Sequence, residues 1–174
     1  DALVWFGHSS YLLQLDGVRL LVDPVLTYKW PMSLFFSPFK GTDVFSPEDM
    51  PDIDCLIVTH DHWDHLDYRT VMQLKERIGR GVCPLGVGEH FEYWGFDSDR
   101  IVELDWNESC GLSDGFRIHC LRAIFQGAGC SATVRSGLRF WWRVLRGGSI
   151  LQATAVTIRT SPRSAAGSRR STWR

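Results

Sequence analysis

The stretch Cys55-Leu56-Ile57-Val58-Thr59-His60-Asp61-His62-Trp63-Asp64-His65-Leu66-Asp67 decides how this chain is read. Cys55 to Val58 is a short continuous apolar run, the pattern of a strand buried on both faces. Directly after it, three histidines and three aspartates fall within the nine residues Thr59 to Asp67. α/β folds place their sites in polar loops that follow buried strands. His60 and His62 are two apart, so in an extended segment both rings face the same side. Two neutral imidazoles at about 2.0–2.1 Å make a zinc-type half-site. Asp64 and His65 follow after the chain turns and can serve a second ion. Ions paired at about 3.5–4 Å can share a water, lower its pKa and clamp a phosphoryl or acyl oxygen. The donors suit Zn²⁺, and also Fe²⁺ or Mn²⁺. A solvated polar loop without metal is the competing reading, and the H-x-H-x-D-H order weighs against it. Asp61 is expected to be exposed. Asp67 is expected to orient a ligand histidine rather than to bind metal.

Upstream, Leu3 to Phe6 and Tyr11 to Leu15 are β-prone runs, and Asp16-Gly17 turns the chain into a third, Val18 to Val22, which Asp23-Pro24 ends. Residues 27–51 show no period and read as an irregular loop. Downstream, Val71, Leu74, Lys75 and Ile78 lie at helical spacing, predicting a helix over 70–78 stopped by Gly79 and Gly81. Gly81 to Val87 predicts a strand, Glu89 to Trp94 a short helix closed by Gly95, and Ile101 to Leu104 and Phe116 to Cys120 two more strands. Alternating strands and helices indicate an α/β or α+β chain.

The chain has 174 residues, 44% hydrophobic and 22% charged. That is enough for one cored domain or one piece of a larger fold, and it excludes disordered, collagen-like and disulfide-framework classes. No apolar run approaches the ~18–20 residues of a membrane span. The start on Asp1 suggests a fragment or processed piece. The five cysteines form no C-x-x-C and read as reduced thiols of a cytoplasmic protein. The formal net charge of −1 hides a split. Residues 1–120 carry nine Lys and Arg against all 20 Asp and Glu; residues 121–174 carry ten Arg, no Lys and no acid. A basic arm for nucleic acid and a membrane-surface segment are two readings of that tail. The third is that the fold was not built for it.

The H-x-H-x-D-H string after an apolar strand resembles the metallo-β-lactamase-fold hydrolases. Trp5-Phe6-Gly7-His8-Ser9-Ser10, Leu21-Val22-Asp23-Pro24, Pro51-Asp52-Ile53-Asp54, Tyr93-Trp94-Gly95-Phe96 and Glu103-Leu104-Asp105-Trp106 are similar to one branch of them. That branch holds the N-acyl-phosphatidylethanolamine-hydrolysing phospholipase D and the ascorbate-phosphate lactonase-like proteins. The resemblance covers about residues 3–119. It implies an α+β fold, the N-terminal half of an αββα sandwich. It also implies that His60 and His62 ligate a first ion, that Asp64 and His65 ligate a second, and that Asp64 accepts a proton from the attacking water. His8 lies near the site in the family pattern. It reads first as a structural histidine bonded to a backbone carbonyl, and second as a site residue. His90 and His119 are expected at the surface or behind the site. Aromatics in 27–45 read first as core, with an acyl- or membrane-facing groove as the second use.

Past His119 the pattern fails. The family has P-A-x-H-F-S-x-R-G, L-W-x-S-F and G-D-x-G-Y, which carry a metal histidine and a bridging Asp; here no His follows His119. Synonymous codons for this sequence restore all three at one offset. Read from the last base of the Cys120 codon they spell P-A-R-H-F-S-G-R-G; from that of Arg135, L-W-A-S-F-L-V-E; from that of Gln152, G-D-S-G-Y-D. The chain is therefore expected to divide into residues 1–119, the N-terminal half of a metallo-β-lactamase-like domain, and an out-of-frame, non-native or disordered tail, 120–174. Its Arg, Ser, Gly and Ala run from Arg159 onward predicts disorder. The expected parent activity is binuclear zinc hydrolysis of a phosphodiester such as an N-acyl phospholipid. A lactonase or ester hydrolase and a non-catalytic metal-binding remnant are the alternatives. Nucleic acid is not an expected partner. This chain itself is expected to retain metal poorly and to turn over little.

Overall fold

The computed structural model describes residues 1–27, 41, 44–113, 115–122, 140–146, 149–153 and 158–160, the last three segments as backbone. The first sheet opens with an antiparallel meander of β1 (Ala2–Gly7), β2 (Ser10–Leu15) and β3 (Val18–Val22). Asp16 and Gly17 both take positive φ, 47° and 87°, the backbone that a two-residue hairpin turn requires. β4 (Ile53–Ile57), β5 (Ile78–Pro84) and β6 (Ile101–Leu104) then add in parallel, giving the order β1-β2-β3-β4-β5-β6. Helix α1 (Tyr68–Leu74), extended by a 3-10 turn at Lys75–Arg77, crosses from β4 to β5, and α2 (Gly88–Tyr93) from β5 to β6.

Alternation along the central strands builds two cores. Leu21, Leu56 and Val58 point to one face, where they meet Val71, Leu74 and Phe91. Leu20, Val22, Cys55 and Ile57 point to the other, where they meet Phe116, Ile118 and Cys120 of the second sheet. Both faces of β4 are therefore apolar, which is why its sequence runs without polar interruption. The second sheet is built of β7 (Ser109–Ser113), β8 (Phe116–Arg122), β9 (Phe140–Arg146), β10 (Ser149–Ala153) and β11 (Ile158–Thr160), all antiparallel, in the order β11-β10-β9-β8-β7. Helix layer, first sheet and second sheet make an α+β sandwich, as the resemblance implies.

The structure differs from the reading of the sequence in three places. β5 starts at Ile78 and contains Gly79 and Gly81, which were expected to break a helix. They serve close packing: a Cβ at Gly79 would meet the Asp54 carbonyl oxygen at 3.1 Å, and one at Gly81 would meet Ile101 Cδ1 at 2.8 Å. β7 was not expected, and Gly111 with two serines gives it little β signature. Finally, composition predicts no native strands past residue 120, yet the backbone forms β9 (Phe140–Arg146), β10 (Ser149–Ala153) and β11 (Ile158–Thr160), paired in sequence onto β8. Residues of high β propensity pair with an available sheet edge whatever their origin. The disorder expected from Arg159 onward meets β11 at Arg159 and Thr160 and otherwise lies outside the described residues, as do the aromatics of the 27–45 groove except Phe45, whose ring packs edge-to-face on Phe6 at 5.4 Å.

Candidate metal centre

β4 delivers the polar loop to the C-terminal edge of the first sheet. Val58 N–H donates to the Val82 carbonyl at 3.0 Å, so the strand pairing holds up to the residue before Thr59. The chain then turns: the His65 and Leu66 amides donate to the His62 carbonyl at 2.9 and 2.8 Å. The turn folds the histidines back on one another. Ring centroids are 4.6 Å apart for His60 and His62, and 3.9 Å for His60 and His65. His60 and His65 are buried, His62 and Asp61 exposed, and Asp64 partly exposed.

Asp23, at the end of β3, organises this loop from below. Its fully buried carboxylate accepts from the Thr59 amide at 2.7 Å, from the Thr59 hydroxyl at 2.6 Å and from His65 Nδ1 at 2.8 Å. The carboxylate only accepts, so the Thr59 hydroxyl spends its proton there. Thr59 Oγ1 then receives the Nδ1–H of His60, 2.9 Å away. Both buried imidazoles thus carry their proton on Nδ1 and keep the Nε2 lone pair for a cation. Neither Asp23 nor Thr59 is singled out by the sequence reading. The available signal was the aspartate that ends the buried strand before Pro24, which the reading treats as a strand terminator and as part of a family string without giving it a role at the site.

Asp67 does something other than expected. It accepts from the Thr27 hydroxyl (2.6 Å), the Thr70 hydroxyl (2.5 Å) and the Arg69 and Thr70 amides, as the N-cap of α1. Among the described residues its hydrogen bonds reach no ligand histidine; Asp23 holds His65 instead. Asp67 starts α1 two residues after His65 and ties that start to the segment leaving β3. The Leu26 amide adds to this tie by donating to Thr70 Oγ1 at 2.9 Å.

Two groups of donors result. The ligand atoms of His60, His62 and Asp64 all lie within 4.8 Å of one another, and so do those of His8, Asp64 and His65. Imidazole nitrogens with one carboxylate are the donors that zinc, iron and manganese take, so the residues fit such an ion. All four expected ligands meet, with Asp64 common to both groups. His8 lies with them rather than away on structural duty: its Nε2 is 3.2 Å from Asp64 Oδ2. His90, exposed on α2, and His119, half-buried on β8, belong to neither group.

Comparison with known proteins agrees with this fold. The profile of the beta-lactamase superfamily domain matches residues 18–150, and the chain belongs to that family. An uncharacterized protein of Mycobacterium tuberculosis strain H37Rv is 40% identical over 131 residues, covering 70% of this chain and 33% of that protein. The N-acyl-phosphatidylethanolamine-hydrolyzing phospholipase D 1 of Caenorhabditis elegans is 34% identical over 116 residues, covering 60% and 31%. Among solved structures, CmlA, a diiron beta-hydroxylase from Streptomyces venezuelae, superposes with a TM-score of 0.66 at 27% identity, covering 86% of this chain and 28% of that one. The chain thus spans about a third of the length of these relatives. No helix among the described residues is long and apolar enough to cross a membrane.

Proposed function

We propose that residues 1–119 are the metal-holding half of a binuclear, zinc-dependent hydrolase that cleaves a phosphodiester, such as that of an N-acyl phospholipid. The observation that carries this is the pair of donor groups sharing Asp64 at the end of β4. The activity for which the Caenorhabditis elegans relative is named supports the substrate class. When bound, the metal pair supplies a water of lowered pKa and stabilises charge developing on a substrate oxygen. The chain's own groups prepare the site for this. Asp23 and Thr59 hold His60 and His65 in one tautomer, and the partly exposed Asp64 carboxylate is placed to take a proton from the attacking water. Trp63, exposed on the same loop, offers an apolar flank to an incoming substrate. Peripheral contact with a lipid surface is part of the same reading.

The reading extends to residues 120–174 as a segment translated out of frame. Supporting it are ten Arg with no Lys, Asp, Glu or His among residues 121–174, and three family motifs that synonymous codons chosen for this sequence can spell at one offset. The nucleotide sequence across codons 115–130 tests this directly. With the frame restored, added Zn²⁺ or Mn²⁺ should give hydrolysis of bis-p-nitrophenyl phosphate and of an N-acyl phospholipid, and the present chain should give little. Turnover of a lactone but of neither phosphodiester by the restored protein would overturn the substrate class. Equal turnover by both chains would overturn the role given to the missing half.

A further inference from the structure

We propose that His8 is a metal ligand in this chain, closing a second cation site with Asp64 and His65. The inference rests on the metal-centre reading above and adds a donor from outside the H-x-H-x-D-H loop.

Geometry is the first argument. His8 Nε2 and Asp64 Oδ2 are 3.2 Å apart, and His65 Nε2 and Asp64 Oδ2 are 3.8 Å apart. Donors at about 2.0–2.1 Å around a tetrahedral ion are separated from each other by about 3.3 Å. The His8–Asp64 spacing matches one such edge, the His65–Asp64 spacing exceeds it by about half an ångström, and all three donors, from two separate elements, lie within 4.8 Å of one another. The His8 and His65 rings meet edge-to-face, with centroids 5.0 Å apart, so neither covers the other's nitrogen face-on.

Backbone conformation is the second argument. His8 sits in the tight turn between β1 and β2 with φ at 45°, next to Gly7 at 106°. A non-glycine residue in this region is uncommon, and such strain gathers where a side chain must be aimed. Trp5 Nε1–H donates to the His8 carbonyl at 3.0 Å and pins the turn from outside. The ring it presents remains nearly half exposed, so a cation can reach it from solvent.

Supply is the third argument. Residues 121–174 contain no His, Asp or Glu, so they bring neither an imidazole nor a side-chain carboxylate to the Asp64–His65 side. Among the described residues, His8 is the imidazole that joins that side.

The test is metal binding by the full 174-residue chain and by His8→Asn. Asparagine tolerates the left-handed turn, so the substitution removes the imidazole while keeping the backbone. Zn²⁺ is titrated by calorimetry, and Co²⁺ by its visible absorption. The expected result is a loss of at least about tenfold in affinity for one ion in His8→Asn, with the ion held by His60 and His62 unchanged. In the unmutated chain, the Nε2 resonance of His8 should shift when Zn²⁺ is added, which needs no variant. Unchanged affinity in His8→Asn with a stationary His8 resonance would overturn the inference and leave the His60–His62 site standing. If the unmutated chain binds no Zn²⁺ or Co²⁺ at all, the inference and the metal-centre reading both fall.

Discussion

Asp23 holds His65 by a 2.8 Å hydrogen bond between its carboxylate and Nδ1, with both side chains almost wholly out of solvent. The two residues are 42 positions apart and come from different strands' ends. Through Thr59 the same carboxylate also sets the tautomer of His60. One buried anion at the end of β3 therefore governs which nitrogen two imidazoles present.

Asp23→Asn should consequently weaken Zn²⁺ binding by about 10–100-fold, the usual loss when a ligand's hydrogen-bond partner is altered. Asparagine tolerates the positive φ of 41° at this position, so the backbone should survive. Chelator competition measures the affinity. An unchanged value would show that Nδ1 of His65 needs no carboxylate.

Asp67→Ala should act on stability more than on metal. It removes the cap of α1 and leaves the buried Thr27 and Thr70 hydroxyls without their acceptor. The expected loss is about 2–4 kcal/mol in urea unfolding. Zinc affinity should fall less than in Asp23→Asn, since Asp67 touches no ligand histidine.

Gly79→Ala tests the placement of β5. The new methyl would meet backbone, the Asp54 carbonyl oxygen at 3.1 Å, which has no rotamer with which to retreat. A destabilisation of about 1–3 kcal/mol is expected. Gly81→Ala should cost less, because the atom it meets ends the Ile101 side chain. If 78–84 instead continued a helix, both substitutions would stabilise.

The buried thiols give the pH dependence. Burial raises the pKa of Cys55 and Cys83 above the ordinary thiol range, and that of Cys120 to about 12. The folded state therefore keeps protons that the unfolded chain releases near pH ~8.5. Stability should be insensitive to these groups below that pH and should decline as pH rises above it. Cys55 and Cys83 should resist a thiol reagent at pH 8 until denaturant is added. Immediate labelling of either would contradict their place in the core.

The legible parts of this fold were the local ones. β1 to β3 announce themselves by β-prone runs and an Asp-Gly turn, β4 by an uninterrupted apolar run, and the metal loop by donor density. What stayed hidden depends on partners distant in the chain. Gly79 and Gly81 look like helix stops until Asp54 and Ile101 are seen against them. Asp23 looks like a strand terminator until His65 folds onto it, and His8 looks structural until Asp64 is found at its ring. Asp67 was assigned to a histidine because it follows the ligand string, yet the orphan amides of α1, two residues on, claim it first.

The central claim is that His60, His62, Asp64 and His65 capture a transition-metal ion. Equilibrium dialysis of the purified chain against Zn²⁺, with metal analysis of the protein, tests it most directly. With free Zn²⁺ kept in the dialysate, the unmutated chain should bind zinc, weakly as expected without the family's later ligands, and His60→Ala/His62→Ala and Asp64→Asn should bind measurably less, with the metal-free proteins equally folded. Equal zinc content in all three, or none in the unmutated chain, would contradict it.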